Sequence, residues 1–251
     1  MNLNLQGKHI IISGGAKGIG AVTARLFLEE GAIPIILDSD EEAGNRLIGE
    51  LKSGEFIGLD LRDGGKCERA IASVIGKYGS IHVLVNNAGT NDVVGLTASR
   101  EEFVASLDQN LVHYFTLTKL CWDSLKQSKG TVVNISSKVA LVGQGNTSGY
   151  VAAKGAILAL TREWAVEGLA HGIRVNAVLP AEVYTEMYEE WLNKFDNPTE
   201  LKAHIESKVP LGKRMTTPEE IAKTILYLAS DMSSHTTGEF LSPDGGYVQI
   251  R

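Results

Sequence analysis

The chain has 251 residues, 43% of them hydrophobic and 22% charged, and a formal net charge of −6. That balance suits a globular protein able to bury a large core. It argues against a nucleic acid or an anionic membrane as partner, because both call for an excess of Lys and Arg. A small molecule is therefore the expected partner.

The two cysteines, Cys67 and Cys121, make neither a disulfide framework nor a metal-ligand cluster, so no metal is expected. The N-terminus lacks the charged, apolar and cleavage regions of a signal peptide, and a reducing cytoplasm is the expected location. No apolar run approaches the roughly 20 residues needed to cross a bilayer.

In chain order, the first predicted strand is HIIIS (9 to 13), and the glycine-rich turn SGGAKGIG (13 to 20) follows it. The turn opens a helix predicted near 18 to 30. Gly14, Gly18 and Gly20 permit tight turns and close backbone approach, and a helix N-terminus offers unpaired N–H groups to a pyrophosphate. In this strand–glycine–helix setting the turn reads as a dinucleotide cradle.

The second strand, IPIIL (33 to 37), ends at Asp38, where a carboxylate can accept hydrogen bonds from both hydroxyls of an adenosine ribose and would repel a 2′-phosphate. Asp38 therefore points to NAD, although Ser39 and Asp40 beside it also suit a solvated loop. Lys17, in the glycine turn, is the cation that would favour NADP; an exposed lysine holds a phosphate poorly beside a fixed anion, so NADP is the lesser expectation.

Helices are predicted near 40 to 52, 64 to 78, 100 to 128, 148 to 170 and 218 to 230. They alternate with strands EFIGLD (55 to 60), IHVLVN (81 to 86), TVVNIS (131 to 136) and IRVNAVL (173 to 179). Strands apolar on both faces need helices on both sides. The expected fold is α/β: one Rossmann-type doubly wound parallel sheet of about seven strands, forming a single domain over 1 to 251. Residues 184 to 214 interrupt the alternation with helical pieces and read as a small helical lid over the substrate.

The strand TVVNIS delivers Ser136 and Ser137 to the carboxyl edge of the sheet, where open α/β sheets bind ligands. The next helix carries Tyr150 and Lys154 four residues apart, one turn apart on one face. Tyrosine titrates near 10 unperturbed, so a phenolate base needs help. A cation at about 5 Å in an effective dielectric of about 20 contributes roughly 3 kcal/mol, or about two pK units, before the desolvation of both groups is subtracted.

These motifs make the chain resemble the short-chain dehydrogenase/reductase family over essentially its whole length. The matching residues are Ser13-Gly14-x-x-x-Gly18-Ile19-Gly20, Asp60-Leu61, Asn86-Asn87-Ala88-Gly89, Asn110, Ser137, Tyr150-x-x-x-Lys154 and Asp244-Gly245-Gly246. The resemblance implies hydride transfer with Tyr150 as acid/base and Ser137 orienting the substrate oxygen. It implies that Lys154 holds the nicotinamide ribose and lowers the Tyr150 pKa, and that Asn110 anchors a proton-relay water. Asp60 and Leu61 would lie by the adenine, Asn87, Ala88 and Gly89 near the cofactor ribose, and Pro180, Val183 and Thr185 at its carboxamide end. Pro180-Ala181 departs from the family's usual Pro-Gly. A homotetramer built through the helices near 100 to 128 and 148 to 170 is also implied.

Within the family, the runs NNAGTNDVVGL (86 to 96), NLVHYF (110 to 115), NISSKVALVGQGNTSGY (134 to 150) and LPAEVYTEMYEEW (179 to 191), with PLGKR after the lid, resemble L-fucose dehydrogenases and related aldose 1-dehydrogenases. The implied reaction is NAD-dependent oxidation of an anomeric carbon to a lactone. Asn91, Asp92, Gln144, Asn146, Glu182 and Trp191 are the candidate sugar contacts. Each has a duller alternative: turn formation for Asn91 and Asp92, loop amides for Gln144 and Asn146, lid packing for Trp191. His113 reads as a hydrogen-bonded packing residue, and Glu186, Glu189 and Glu190 as the solvated face of a lid helix. The rival readings are a 3-oxoacyl thioester (acyl-carrier-protein) reductase and a non-catalytic NAD-binding module. The acidic chain argues against the first, and the intact Asn110, Ser137, Tyr150 and Lys154 against the second.

Overall fold

The computed structural model describes residues 2–248. Seven parallel strands form one sheet: β1 (His9–Ser13), β2 (Ile33–Asp38), β3 (Glu55–Gly58), β4 (Val83–Asn86), β5 (Thr131–Ile135), β6 (Arg174–Val178) and β7 (Phe240–Leu241). Their order is β3-β2-β1-β4-β5-β6-β7. The chain runs outward from β1 to β3, then returns to lay β4 on the other side of β1, so the order reverses between β1 and β4. The carboxyl ends there diverge and leave a crevice.

Side chains alternate across the pleat. Ile10, Ile12 and Ile36 pack on one face with Phe27 of α1 (Gly18–Glu29) and Ile221 and Ile225 of α9 (Pro218–Ala229). Ile11, Ile35 and Leu37 pack on the other face with α3 (Gly64–Tyr78), α5 (His113–Ser128) and α6 (Ser148–Gly168). α2 (Glu41–Leu51) covers β2 and β3, and α4 (Arg100–Leu107) lies against α6. Both faces are thus covered, which is why the strands are apolar throughout. Among the described residues no helix is long and apolar enough to cross a membrane.

The helix expected over 100 to 128 is not continuous. A π-helical turn at Asp108–Val112 separates α4 from α5. No Pro or Gly stands there. The cause is Asn110: its side-chain Nδ2 donates to the Ser106 carbonyl one turn back at 3.1 Å, and its Oδ1 accepts from the Thr90 N–H at 2.8 Å. A side chain competing for the i−4 carbonyl opens the turn. The segment expected as a lid carries α7 (Glu186–Leu192) and α8 (Pro198–Ser207), packed through Leu192, Ile205 and Met215.

Candidate active site

A cleft of about 570 Å³ opens along the carboxyl edge of the sheet. Its cofactor end begins at the β1–α1 turn. Gly14 has φ +63°, and a Cβ there would stand 2.7 Å from Ala88 Cα, so only glycine lets the turn lie against the loop after β4. Gly18, at φ +54°, and Ile19 line the cleft. Gly20 does not; a Cβ there would meet the Gly14 carbonyl oxygen at 2.3 Å, so its absence packs α1 onto the turn. Ser13 also stands behind the wall: its Oγ accepts from the N–H groups of Asn87 at 3.0 Å and Ala88 at 3.2 Å. Asn87 returns the tie, its Nδ2 donating to the Gly14 carbonyl at 2.8 Å.

The turn itself fits a nicotinamide dinucleotide. Helix α1 begins without a side-chain cap and without an acidic residue in its first turn, a feature it shares with α5 and α6, but it alone of the three follows the glycine turn on the cleft wall. Its free N–H groups and positive dipole end open onto the cleft, as a pyrophosphate requires. Asp38 lies on the wall, accepting from the N–H of Ala16 and of Asp40, each at 3.0 Å. Lys17, also on the wall, pairs with Asp40 at 2.6 Å. Asp60 pairs with Arg62, whose hydrogen bond holds its carboxyl at about 2. Leu61, Asn87, Ala88, Gly89, Pro180, Ala181, Val183 and Thr185 complete the stretch.

At the chemical end, β5 runs out in two serines with different duties. Ser136 Oγ donates to the Lys154 carbonyl at 2.8 Å and so fixes α6 against the sheet. Ser137 lines the cleft with Tyr150, and its Oγ accepts from the Val139 N–H at 3.4 Å. Lys154, buried, donates through Nζ to the Ile135 carbonyl at 2.8 Å and to the Tyr114 hydroxyl at 3.2 Å; Tyr114 in turn donates to Ile135 at 2.9 Å. Asn110 Oδ1 and Lys154 Nζ both press on Gly89, where a Cβ would meet them at 3.1 and 3.3 Å.

The expected acidification of Tyr150 needs correcting. Nζ of Lys154 lies 5.5 Å from the Tyr150 ring centre, near the distance assumed. Burial nevertheless pushes the phenol up to about 12, with Ser137 drawing it back and Asp92 adding to the rise. Burial also brings the Lys154 ammonium down to about 7. Desolvation is the first cause for both groups, Lys154 being buried and Tyr150 half-buried on the cleft wall.

The sugar contacts expected from sequence are only partly gathered. Asn91 is exposed, and its Oδ1 accepts from the Val93 N–H at 3.3 Å, the turn-forming alternative. Gln144 and Asn146 are exposed on the loop before α6, and Trp191 stacks on Tyr188 and Phe195; none of these lines the cleft. Asp92 stands beside Asn110 behind the wall, and Glu182 pairs there with Lys138. Glu186, Glu189 and Glu190 are exposed, in keeping with a solvated face; Glu186 and Glu190 also line the cleft, and Glu189 accepts from the Tyr184 hydroxyl at 2.9 Å. His113 is buried and shares a hydrogen bond with the Gln109 carbonyl at 3.1 Å, yet it also forms part of the wall.

Sequence reasoning passed over Tyr114, Lys138 and Tyr188. Only Lys138 left a signal, as a charge inside the otherwise apolar and small run SSKVALVG.

The family profile described as Enoyl-(Acyl carrier protein) reductase matches residues 14–248. The 3-oxoacyl (acyl-carrier-protein) reductase of Thermotoga maritima is 37% identical over 98% of this chain and 100% of its own. The L-fucose dehydrogenase of Mus musculus is 34% identical over 95% of this chain and 88% of its own. Among solved structures, the Cj0485 dehydrogenase superposes with a TM-score of 0.97 at 44% identity, covering 100% of this chain and 98% of the other. The ligand-free aldohexose dehydrogenase of Thermoplasma acidophilum superposes with 0.91 at 30%, covering 100% and 97%. The chain belongs to the short-chain dehydrogenase/reductase family, whose members are oxidoreductases that use nicotinamide cofactors.

Proposed function

We propose that the protein is an NAD-dependent sugar dehydrogenase that oxidises the anomeric carbon of L-fucose or a related aldose to the lactone. The observation that carries this reading is the charge of the cleft. Lys17–Asp40 and Arg62–Asp60 cancel as ion pairs on its wall, which leaves Asp38, Glu186 and Glu190 against the buried Lys154 as the remaining charges among the described residues. Such a wall suits a neutral polyol and an unphosphorylated ribose; it disfavours a 2′-phosphate, a phosphorylated sugar or an acidic carrier protein.

In this reading the β1–α1 turn and Asp38 hold the dinucleotide, which when bound supplies the acceptor for the hydride leaving C1. Ser137 orients the anomeric hydroxyl and Tyr150 takes its proton. Lys154 binds the ribose and stands beside the phenol, its Nζ 5.5 Å from the Tyr150 ring centre. Asn110 holds the loop after β4 through Thr90 and places a relay water. The segment 184–214 closes over the sugar. The exposed apolar residues Val112, Phe115, Val166 and Leu169, within the stretches 100 to 128 and 148 to 170, support a homotetramer.

The relative from Thermotoga maritima favours a second reading, reduction of a 3-oxoacyl thioester. Initial rates with L-fucose, D-arabinose and other aldoses against NAD and NADP, beside acetoacetyl thioester with the reduced cofactors, separate the two. Aldose oxidation with NAD is expected to dominate. Thioester reduction without aldose oxidation refutes the assignment.

A further inference from the structure

Lys138, Glu182 and Tyr188 form a chain of contacts running from the catalytic strand to the cleft wall. Lys138 follows Ser137 directly, and its backbone N–H donates to the Pro180 carbonyl at 2.8 Å. Its ammonium is paired with Glu182 Oε1, and the two side chains are only 10% and 12% exposed. The Tyr247 ring lies 4.4 Å from the same ammonium. Glu182 is anchored by its own backbone, whose carbonyl accepts from the Thr216 N–H at 2.9 Å. Its second oxygen, Oε2, accepts from the Tyr188 hydroxyl at 2.8 Å. Tyr188 lines the cleft.

A phenol has one proton to give. Here it goes to the Glu182 carboxylate, whose other oxygen pairs with the Lys138 ammonium, and losing that hydrogen bond would leave a half-buried carboxylate oxygen unsatisfied. The oxygen of Tyr188 is then left with lone pairs alone. It can accept from a ligand but not donate to one. A ring hydroxyl satisfies it; a carbonyl or thioester oxygen, which only accepts, does not.

We propose that Lys138 and Glu182 hold Tyr188 as an acceptor-only contact, and that this contact selects substrates by a donating hydroxyl remote from the reacting carbon. Tyr188 is the specificity-determining residue, and Lys138 and Glu182 are positioning residues acting through it. The inference rests on the aldose reading and deepens it, because a polyol carries several donors and a 3-oxoacyl chain none.

The test uses the intact protein with NAD, L-fucose, and the series of monodeoxy and monodeoxyfluoro analogues away from C1. Fluorine occupies the hydroxyl's place without donating. At one ring position both replacements are expected to lower kcat/KM about tenfold, the effect of one hydrogen bond. Tyr188→Phe is expected to raise KM for the parent sugar about tenfold with kcat within twofold, and to remove the discrimination at that position alone. Glu182→Gln turns an amide donor toward the phenol and frees its proton, so the fluoro sugar then outperforms the deoxy sugar, as it does not in the unaltered protein. A general loss of stability would move neither ratio. Retained discrimination in Tyr188→Phe, or equal loss at every position, overturns the inference while leaving aldose oxidation intact. An unaltered protein that oxidises no aldose overturns both.

Discussion

Asp38 offers the sharpest quantitative test of cofactor choice. Its two carboxylate oxygens are each engaged once, by Ala16 N and Asp40 N at 3.0 Å, and the group sits half-buried at the mouth of the adenosine end. A 2′-phosphate bound there would stand about 4 Å away, where repulsion between unit charges is about 1 kcal/mol in water and about 4 kcal/mol at an effective dielectric of 20. For a half-open site about 2 to 3 kcal/mol is reasonable, or roughly 30- to 150-fold in relative affinity at about 1.4 kcal/mol per decade. Asp38→Asn removes the charge while retaining one of the two acceptors; Asp38→Ala leaves both N–H groups unpaired and costs about 1–3 kcal/mol for each one that stays buried. The assay is kcat/KM for NAD and for NADP with one aldose, accompanied by thermal melting. The NAD/NADP ratio is expected to fall roughly 30- to 150-fold in Asp38→Asn, with a melting shift of a few degrees at most. A ratio unchanged within twofold would return Asp38 to the role of a turn-forming aspartate.

Removing the reactive oxygen alone, Tyr150→Phe is expected to lower kcat by at least about 10³-fold while the dinucleotide dissociation constant, read by fluorescence titration, stays within twofold. Near-normal turnover would remove Tyr150 from the reaction. Acid stability has its own signature, because burial lowers both His82 and His113 to about 4 from 6.5. Between those values the unfolded chain binds protons that the folded chain refuses, so stability is full above about pH 7 and falls as the pH drops through the window. The depressed carboxyls of Asp60 and Glu220, near 2, act only at lower pH. Melting temperatures flat from pH 7 to pH 4.5 would contradict the burial of both imidazoles.

Five of the six β-branched runs were legible because burial on both faces wrote continuous apolar stretches into the chain; the sixth, β3, is a half-buried edge strand. β7 left no such run: two residues, Phe240–Leu241, pair only with Ala177 and Val178. The glycine turn and the Tyr150–Lys154 pair were legible because their geometry is local, set by φ angles and by one helical turn. The π turn at Asn110 was not, since it depends on a hydrogen bond to Thr90 across twenty positions. The Lys138–Glu182–Tyr188 chain was hidden for the same reason. Lys138 and Glu182 are separated by 44 residues, and neither neighbourhood announces the other. Gln144, Asn146 and Trp191 show the converse: polar or aromatic residues beside a motif do not enter the cleft unless the backbone turns them toward it.

The protonation of the catalytic pair follows from burial more than from spacing. A cation 5.5 Å from the Tyr150 ring was expected to make a base, yet the phenol stands near 12 and the amine near 7. Lys154 spends its hydrogen bonds on Ile135 and Tyr114, which orient it without solvating it as water would. The side chains alone therefore favour a protonated phenol, the form that donates in carbonyl reduction. To accept a proton from a sugar hydroxyl, the same oxygen needs further positive charge in the cleft, and an oxidised nicotinamide is the component of the proposed reaction that brings it. Such an arrangement ties the ionisation of Tyr150 to the charge of the bound cofactor: the phenolate that accepts the sugar's proton is favoured when an oxidised nicotinamide is present, and the protonated phenol when it is not.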